Sequence, residues 1–448
     1  MSSSALTDRI IEDFSAAPAL AGATAARRAA LDTLAARGLP TTRDENWKYA
    51  NLRSLERVRF LPIAEAPPGG TLPEAVALPP PIPGIARYVF VDGRFAPGAS
   101  APLTGASGAV LQRLAQEADG AQIEAAGDAD AKADGAAERA AAPSADGRFG
   151  LLNEVFATDG LAIEIREASA TPLQLEVLFV ASADVAKGAS YPRLELRLRP
   201  GTALTLIERH LSAGDAGSFV TSAVRAEVAT KARLEHYRLQ ELSARTTLFD
   251  TLSGDLGADA RYRLHAISTG AQSARSTLAL RLTGERAELS LAVVALGDRQ
   301  QVQDGYAVVE HTATDARTVQ SFRGIAAGRA RVAFNGKIIV APGARGTDSR
   351  QSLRGLLAGP EAEIDVRPQL EIYTDEVRCS HGATAGKLDD AMLFYLLSRG
   401  LDRDTAQRLL KWAFLEDVIA QVTLPALRRQ IETSLAGQLR DEALRELL

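Results

Sequence analysis

Between about Leu151 and Tyr373 the chain alternates apolar and polar residues in short runs: Leu194/Leu196/Leu198, Leu204/Leu206, Leu278/Leu280/Leu282, Leu289/Leu291/Val293, Ile364/Val366 and Leu370/Ile372. A period of two puts one face of each run in a core, which marks strands. Turn signals at Pro200-Gly201, Gly254, Gly284, Gly297-Asp298, Asn335-Gly336 and Pro342-Gly343 separate the runs, and no long helix interrupts them. The body is therefore all β. A sandwich of this length in one piece is at the upper edge of what is usual, whereas a parallel β-helix lengthens by adding coils. The pattern favours the β-helix, although no crisp internal repeat is visible. Aromatics are 5% of residues against an apolar total of 46%, so Leu, Val, Ile and Ala must fill the core, which suits thin repetitive layers.

The flanks follow the helical period instead. Ile10, Ile11 and Phe14, then Ala26, Ala29, Leu31 and Leu34, recur at three- and four-residue steps, and Gly38-Leu39-Pro40 stops the second run. Residues 65–84 form a Pro- and Gly-rich connector, followed by a hairpin signal in which Tyr88-Val89-Phe90-Val91 and Arg94-Phe95 flank Asp92-Gly93. Residues 121–142 hold eleven alanines and one larger aliphatic, Ile123, and read as a linker with little to bury. After Gly386, Asp389 is placed to cap a helix through Met392, Leu393, Phe394, Leu396 and Leu397 that ends at Gly400. Asp402 can cap a second helix, and Pro425 fits the first turn of a third. These helices can cap the open end of a β-helix, dock a partner, or both. The expected domains are 1–120, helical with a small hairpin; 121–148, the linker; 149–378, the core; and 379–448, the end of the core with a C-terminal helical domain.

Charge and cysteine usage narrow the function. Lys plus Arg total 51 against 56 Asp plus Glu, and the net charge of -5 excludes the broad positive field of a nucleic-acid binder. The single cysteine, Cys379, excludes an internal disulfide and any metal or cluster site built from this chain's thiolates alone. With no signal peptide or membrane span expected, a cytoplasmic location fits that usage.

Gly382-Ala383-Thr384-Ala385-Gly386-Lys387-Leu388 is a false phosphate loop, one residue short between its glycines and with Leu388 where Mg²⁺ binding needs Ser or Thr. No GxGxxG follows a strand, and no GxSxG or HExxH occurs. His210, His236, His265 and His311 read as ordinary strand residues. Cys379 and His381 differ, because residues two apart on a strand share a face and so present a thiolate and an imidazole together, both suited to a borderline metal. One thiol and one imidazole leave such a site incomplete, so further ligands would come from a partner chain. The opposing reading is a buried thiol beside a surface histidine. Arg43–Tyr49, around Trp47, reads as a helix end folded onto its domain, with an interaction surface as the alternative.

The end of the β body runs through Asn335-Gly336-Lys337-Ile338-Ile339-Val340, Thr347-Asp348, Gln351-Ser352 and Pro368-Gln369-Leu370-Glu371-Ile372-Tyr373. It leads into Cys379-Ser380-His381-Gly382-Ala383-Thr384 and then Leu393-Phe394-Tyr395-Leu396 with Arg399-Gly400. This stretch resembles the SufB/SufD family of iron–sulfur cluster assembly proteins. The C-S-H-G-A-T form, the R-x-E-x-W-K-Y run at Arg43–Tyr49 and the hairpin Val91-Asp92-Gly93-Arg94-Phe95 resemble its SufD members in particular. The likeness is continuous from about Ser321 to Leu401, patchy through the rest of the β body and absent from 121–142.

The resemblance implies a mainly β fold: a right-handed parallel β-helix flanked by N-terminal and C-terminal α-helical regions. It implies a non-catalytic scaffold and iron-handling subunit that pairs through its last strands with a SufB-like paralogue. A SufC-like ABC ATPase would dock on the C-terminal helices, where Leu409, Leu410, Trp412, Phe414 and Val418 crowd one helix with apolar surface. Cys379 and His381 then contribute to a region for iron or a nascent Fe–S cluster completed by the SufB-like chain, with no cofactor on this chain alone. A homodimer stays open for the isolated chain; no nucleic-acid or membrane partner is expected. Two other readings remain. One is a SufB-type scaffold that itself carries the cluster, against which the single cysteine speaks. The other is a β-helix carbohydrate-active enzyme, for which no carboxylate cluster is readable and a secretion signal would be expected.

Overall fold

The computed structural model describes residues 3–20, 23–63, 72, 76–103, 108–114 and 146–439. From Leu161 on, successive strands alternate between two sheets, and each pairs in parallel with the strand one coil further along. Among the described residues, one sheet holds ten strands and ends with Arg317–Ala326, Asp348–Leu357 and Arg378–Gly386. The other holds nine and ends with Val302–His311, Arg331–Val340 and Glu363–Ile372. The body is a parallel β-solenoid with helices at both chain ends.

Period two produces this architecture because identical faces stack from coil to coil. Leu252 and Leu256 lie in register with Leu278 and Leu282, and Leu278 with Ala307, so one buried cluster runs along the axis between the sheets. The corners repeat as well. Lys231, Asp259, Arg286 and Asp315 each adopt a left-handed backbone with φ of 56–59°. Each precedes a fully buried alanine, Ala232, Ala260, Ala287 or Ala316. The small side chain lets the chain turn inward tightly, and the polar residue before it bears the conformational cost at the surface.

The hairpin forms as expected: Asp92 and Gly93 take φ of 49° and 80°, and Phe90 faces Phe95. Its first strand, Ala86–Val91, also pairs in parallel with Leu173–Ala181 and is thereby a rung of the ten-stranded sheet. The N-terminal helices Ser3–Ala16 and Ala25–Arg37, with helix Arg148–Phe156, share a second core with Phe219 and Phe249 of the nine-stranded sheet, where Phe149 stacks on Phe249 at 3.8 Å. Within the Ala-rich linker, residues 121–145 lie outside the described residues.

At the other end Asp389 and Asp402 cap helices Asp390–Ser398 and Arg403–Ile419, and Pro425 opens helix Pro425–Gln438. The last two helices lie along the outer face of the ten-stranded sheet, with Leu415, Val418, Ile419, Leu427, Ile431 and Leu435 clustered against residues such as Ile207, Tyr237, Ile267 and Val294. Arg323 to Asp417 at 2.9 Å and Ser434 to Glu241 at 2.7 Å fasten them there. Among the described residues, no helix is long and apolar enough to cross a membrane.

Candidate functional site

Cys379 and His381 lie on the final strand, Arg378–Gly386, which pairs with Asp348–Leu357 so that Ser349 stands beside Cys379 and Gln351 beside His381. No further strand pairs with its other edge among the described residues. Glu376, at φ 59°, makes the same left-handed corner as Lys231 or Asp315, and this delivers the strand in register with the coils before it. The column ending in Cys379 runs Leu204, Leu234, Tyr262, Leu289, Thr318, Ser349; the one ending in His381 runs Leu206, His236, Leu264, Leu291, Gln320, Gln351. Every earlier member is buried. Thiol and imidazole therefore project on one face toward the solenoid axis, at its open end.

Their surroundings differ in exposure. Cys379 is half-buried against the main core, while His381 is exposed at the rim. Burial pushes the Cys379 thiol up from its ordinary value, as does the nearby Asp348 carboxylate, and the Ser349 backbone N–H pulls the other way. Across the opening, Ile364, Val366 and Leu370 are partly buried against the same core, and Ile372 and Tyr373 are 41% and 60% exposed.

Beneath the pair the interior turns polar. Thr318 and Gln320, then Ser349 and Gln351, stand where the preceding coil has Leu289 and Leu291. Gln351 Nε2 donates to Gln320 Oε1 at 2.6 Å and to the Gly336 carbonyl at 3.0 Å, leaving Gln351 Oε1, Gln320 Nε2 and Ser349 Oγ buried without hydrogen-bond partners. Thr318 bonds His311 Nε2 at 2.9 Å; burial pushes His311 down to about 4, so it is neutral at pH 7. Sequence reasoning missed this polar floor, although Gln320 and Gln351 share the inward parity of Phe322 and Leu353.

The other histidines are structural. His210 and His236 both hydrogen-bond Glu208 inside the solenoid, at 2.7 and 3.0 Å, and His265 bonds Glu235 at 3.1 Å beneath the flanking helices. Burial alone would raise the Glu208 carboxyl, but Arg238 and the two imidazoles outweigh it and hold it well below the usual carboxylate range. Burial lowers His236 despite Glu208; as the neutral ring, its Nε2–H donates to that carboxylate while Nδ1 accepts from Tyr262 at 3.0 Å. Among the described residues, no group of three or more His, Cys, Asp or Glu side chains is arranged to hold a metal. Cys379 and His381 stand as a pair of donors.

The helical end sorts the apolar residues named for docking. Val418 is buried against the sheet, Trp412 and Phe414 are partly buried in the same cluster, Leu410 is half-buried, and Leu409 is 46% exposed. The larger exposed side chains are on the preceding helix: Met392 at 59%, Phe394 at 73% and Tyr395 at 56%. Trp47 is buried, donating to Asp146 at 2.7 Å with the Arg275 guanidinium 4.5 Å from its ring, so Arg43–Tyr49 is folded onto the body.

A family model described as SUF system FeS cluster assembly, SufBD core domain, matches residues 179–414. The iron–sulfur cluster assembly protein SufD of Escherichia coli is 31% identical over 407 residues, covering 90% of this chain and 89% of that protein. A SufBD family iron–sulfur cluster assembly protein of Synechocystis sp. is 26% identical over 416 residues, covering 90% and 88%. The chloroplastic protein ABCI7 of Arabidopsis thaliana is 27% identical over 253 residues, 56% of this chain and 53% of its own.

Proposed function

The chain belongs to the SufBD family of iron–sulfur cluster assembly proteins, and from that premise we propose that it is a non-catalytic, cytosolic scaffold that presents iron-handling side chains to a partner subunit. The observation that carries this reading is the placement of Cys379 and His381 on one face of a terminal strand whose outer edge pairs with no other strand among the described residues. An open edge carries free backbone donors and acceptors and invites strand addition by another chain. A SufB-like paralogue, built on the same coils, has the geometry to continue both sheets from Arg378–Gly386 and Glu363–Ile372. Iron, as cargo, would find a thiolate and an imidazole here and its remaining ligands on the partner, since two donors do not saturate it.

The exposed Met392, Phe394, Tyr395 and Leu409 form the surface for a second partner, a SufC-like ABC ATPase. Similarity to SufD over nine-tenths of the chain, with a single thiol, favours this role over that of the cluster-carrying subunit. Family membership leaves the carbohydrate-active reading without support.

Co-expression with SufB-like and SufC-like chains tests the proposal. A stable complex holding all three is expected. Glu or Lys placed at Phe394 should release the ATPase alone, and Pro at Ala383, whose N–H faces the open edge because that of Arg378 points to the neighbouring strand, should release the SufB-like chain. Purification of this chain free of both partners under all conditions would overturn it.

A further inference from the structure

The polar floor beneath His381 carries a second inference, which rests on the reading of His381 as a ligand to iron. Gln351 is 5% exposed, and both N–H groups of its amide are used, one on Gln320 Oε1 and one on the Gly336 carbonyl. Two acceptors on one side fix which end of the amide is nitrogen, so the free atom is the carbonyl oxygen. Gly336 is part of the cradle: a Cβ there would meet Gln320 Oε1 and press on Gln351 Nε2, so a side chain would displace the amides from this arrangement. The outcome is a rigidly held, buried acceptor with no partner, one coil below His381 in the same inward column.

An imidazole that coordinates a metal through one ring nitrogen characteristically donates the N–H of the other to a carbonyl or carboxylate, which sets both tautomer and ring plane. We infer that Gln351 is the positioning residue for His381: its Oε1 accepts the ring N–H and leaves the opposite nitrogen's lone pair directed at the interface. Gln320 acts one step further back by fixing the amide. The two coils before Gln320 carry buried Leu264 and Leu291 in this column, and His236, deeper still, is already bonded to Glu208 and Tyr262. The paired amides thus stand where the column meets the rim.

The tautomer of His381 is directly measurable. With five histidines in the chain, ¹⁵N-histidine labelling of the full-length protein, with His381→Ala to assign the signal, reads it without iron present. The wild type should show one dominant tautomer. Gln351→Leu, similar in size but unable to accept, should shift the tautomer ratio at least fivefold, and Gln320→Leu should shift it in the same direction by less. The remaining four histidine signals report whether each variant is folded, and should Gln351→Leu fail to fold, Gln351→Met replaces it. A ratio unchanged in the folded Gln351 variant overturns the inference.

Iron content of the co-expressed complex separates the two claims. If His381→Ala leaves iron undiminished while Gln351→Leu shifts the tautomer, the ligand reading fails and the positioning contact stands. If His381→Ala removes iron and Gln351→Leu changes neither tautomer nor iron, the positioning contact fails alone.

Discussion

Arg238 and Glu208 form a paired contact inside the solenoid: Nε and Nη2 of the guanidinium donate to the two carboxylate oxygens at 2.8 and 2.7 Å. The same guanidinium also donates to Asp250 through Nη1 and Nη2, at 2.8 and 2.9 Å, so one cation compensates two carboxylates that the core cannot leave bare. Arg238→Met should destabilise the fold by about 3–5 kcal/mol, because it strands both charges away from water. Urea unfolding of the two proteins measures the difference. A triple variant that also replaces Glu208 and Asp250 by Gln and Asn should recover part of it.

His311 makes stability pH-dependent. Its folded value is pushed down to about 4 by burial, against about 6.5 when unfolded. The unfolded chain therefore binds the extra proton between those values, and stability is lost as pH falls from about 6.5 to 4, by roughly 3 kcal/mol in all. Glu208, held low in the fold, adds a loss that begins only as pH falls below about 4.3. His311→Leu, which matches Leu282 one coil earlier in the column, should reduce the slope between pH 6.5 and 5 in denaturant titrations, leaving the part due to His236, which burial also lowers, and the loss that Glu208 adds at lower pH.

Apolar residues at the helical end should divide by where they face. Val418→Ala, in the packed cluster, should cost about 2 kcal/mol of stability. Phe394→Glu, at an exposed position, should leave the melting temperature within a degree or two and abolish ATPase copurification. Deleting the helices tests docking less cleanly, since it also uncovers Ile207, Tyr237, Ile267 and Val294.

Replacing Cys379 by Ser should lower cluster yield less than replacing His381 by Ala. Burial and Asp348 hold the thiol up from its ordinary value, so it must give up a proton to bind a metal, and Cys379→Ser keeps an oxygen donor in its place, whereas His381→Ala removes the imidazole outright. Iron and sulfide analysis of the purified complexes ranks the two variants.

Strands were legible in the sequence because one-faced burial imposes a period of two, and the helix caps because Asp389, Asp402 and Pro425 act locally. The coil repeat was not legible. Its signature at Lys231-Ala232, Asp259-Ala260, Arg286-Ala287 and Asp315-Ala316 lies in a left-handed φ followed by a small buried residue, and the first residue is free to vary. The parallel pairing of Ala86–Val91 was hidden by its partner's distance along the chain. Apolar content marked the helix carrying Val418 and Phe414 but not which face the sheet would cover, so buried Val418 was named for docking and exposed Phe394, on the preceding helix, was not. Cys379 and His381 were legible as a same-face pair. Their floor was not, because Gln320 and Gln351 look like solvent-facing residues until the register turns them inward.

The central claim, that His381 presents a ligand to iron at a shared open end, is tested most directly by iron and acid-labile sulfide per complex. The measurement is made on wild type and His381→Ala co-expressed with SufB-like and SufC-like chains and purified at equal subunit stoichiometry. The expected result is a several-fold loss of both in the variant, with assembly intact. Undiminished iron and sulfide in a fully assembled His381→Ala complex would contradict the account.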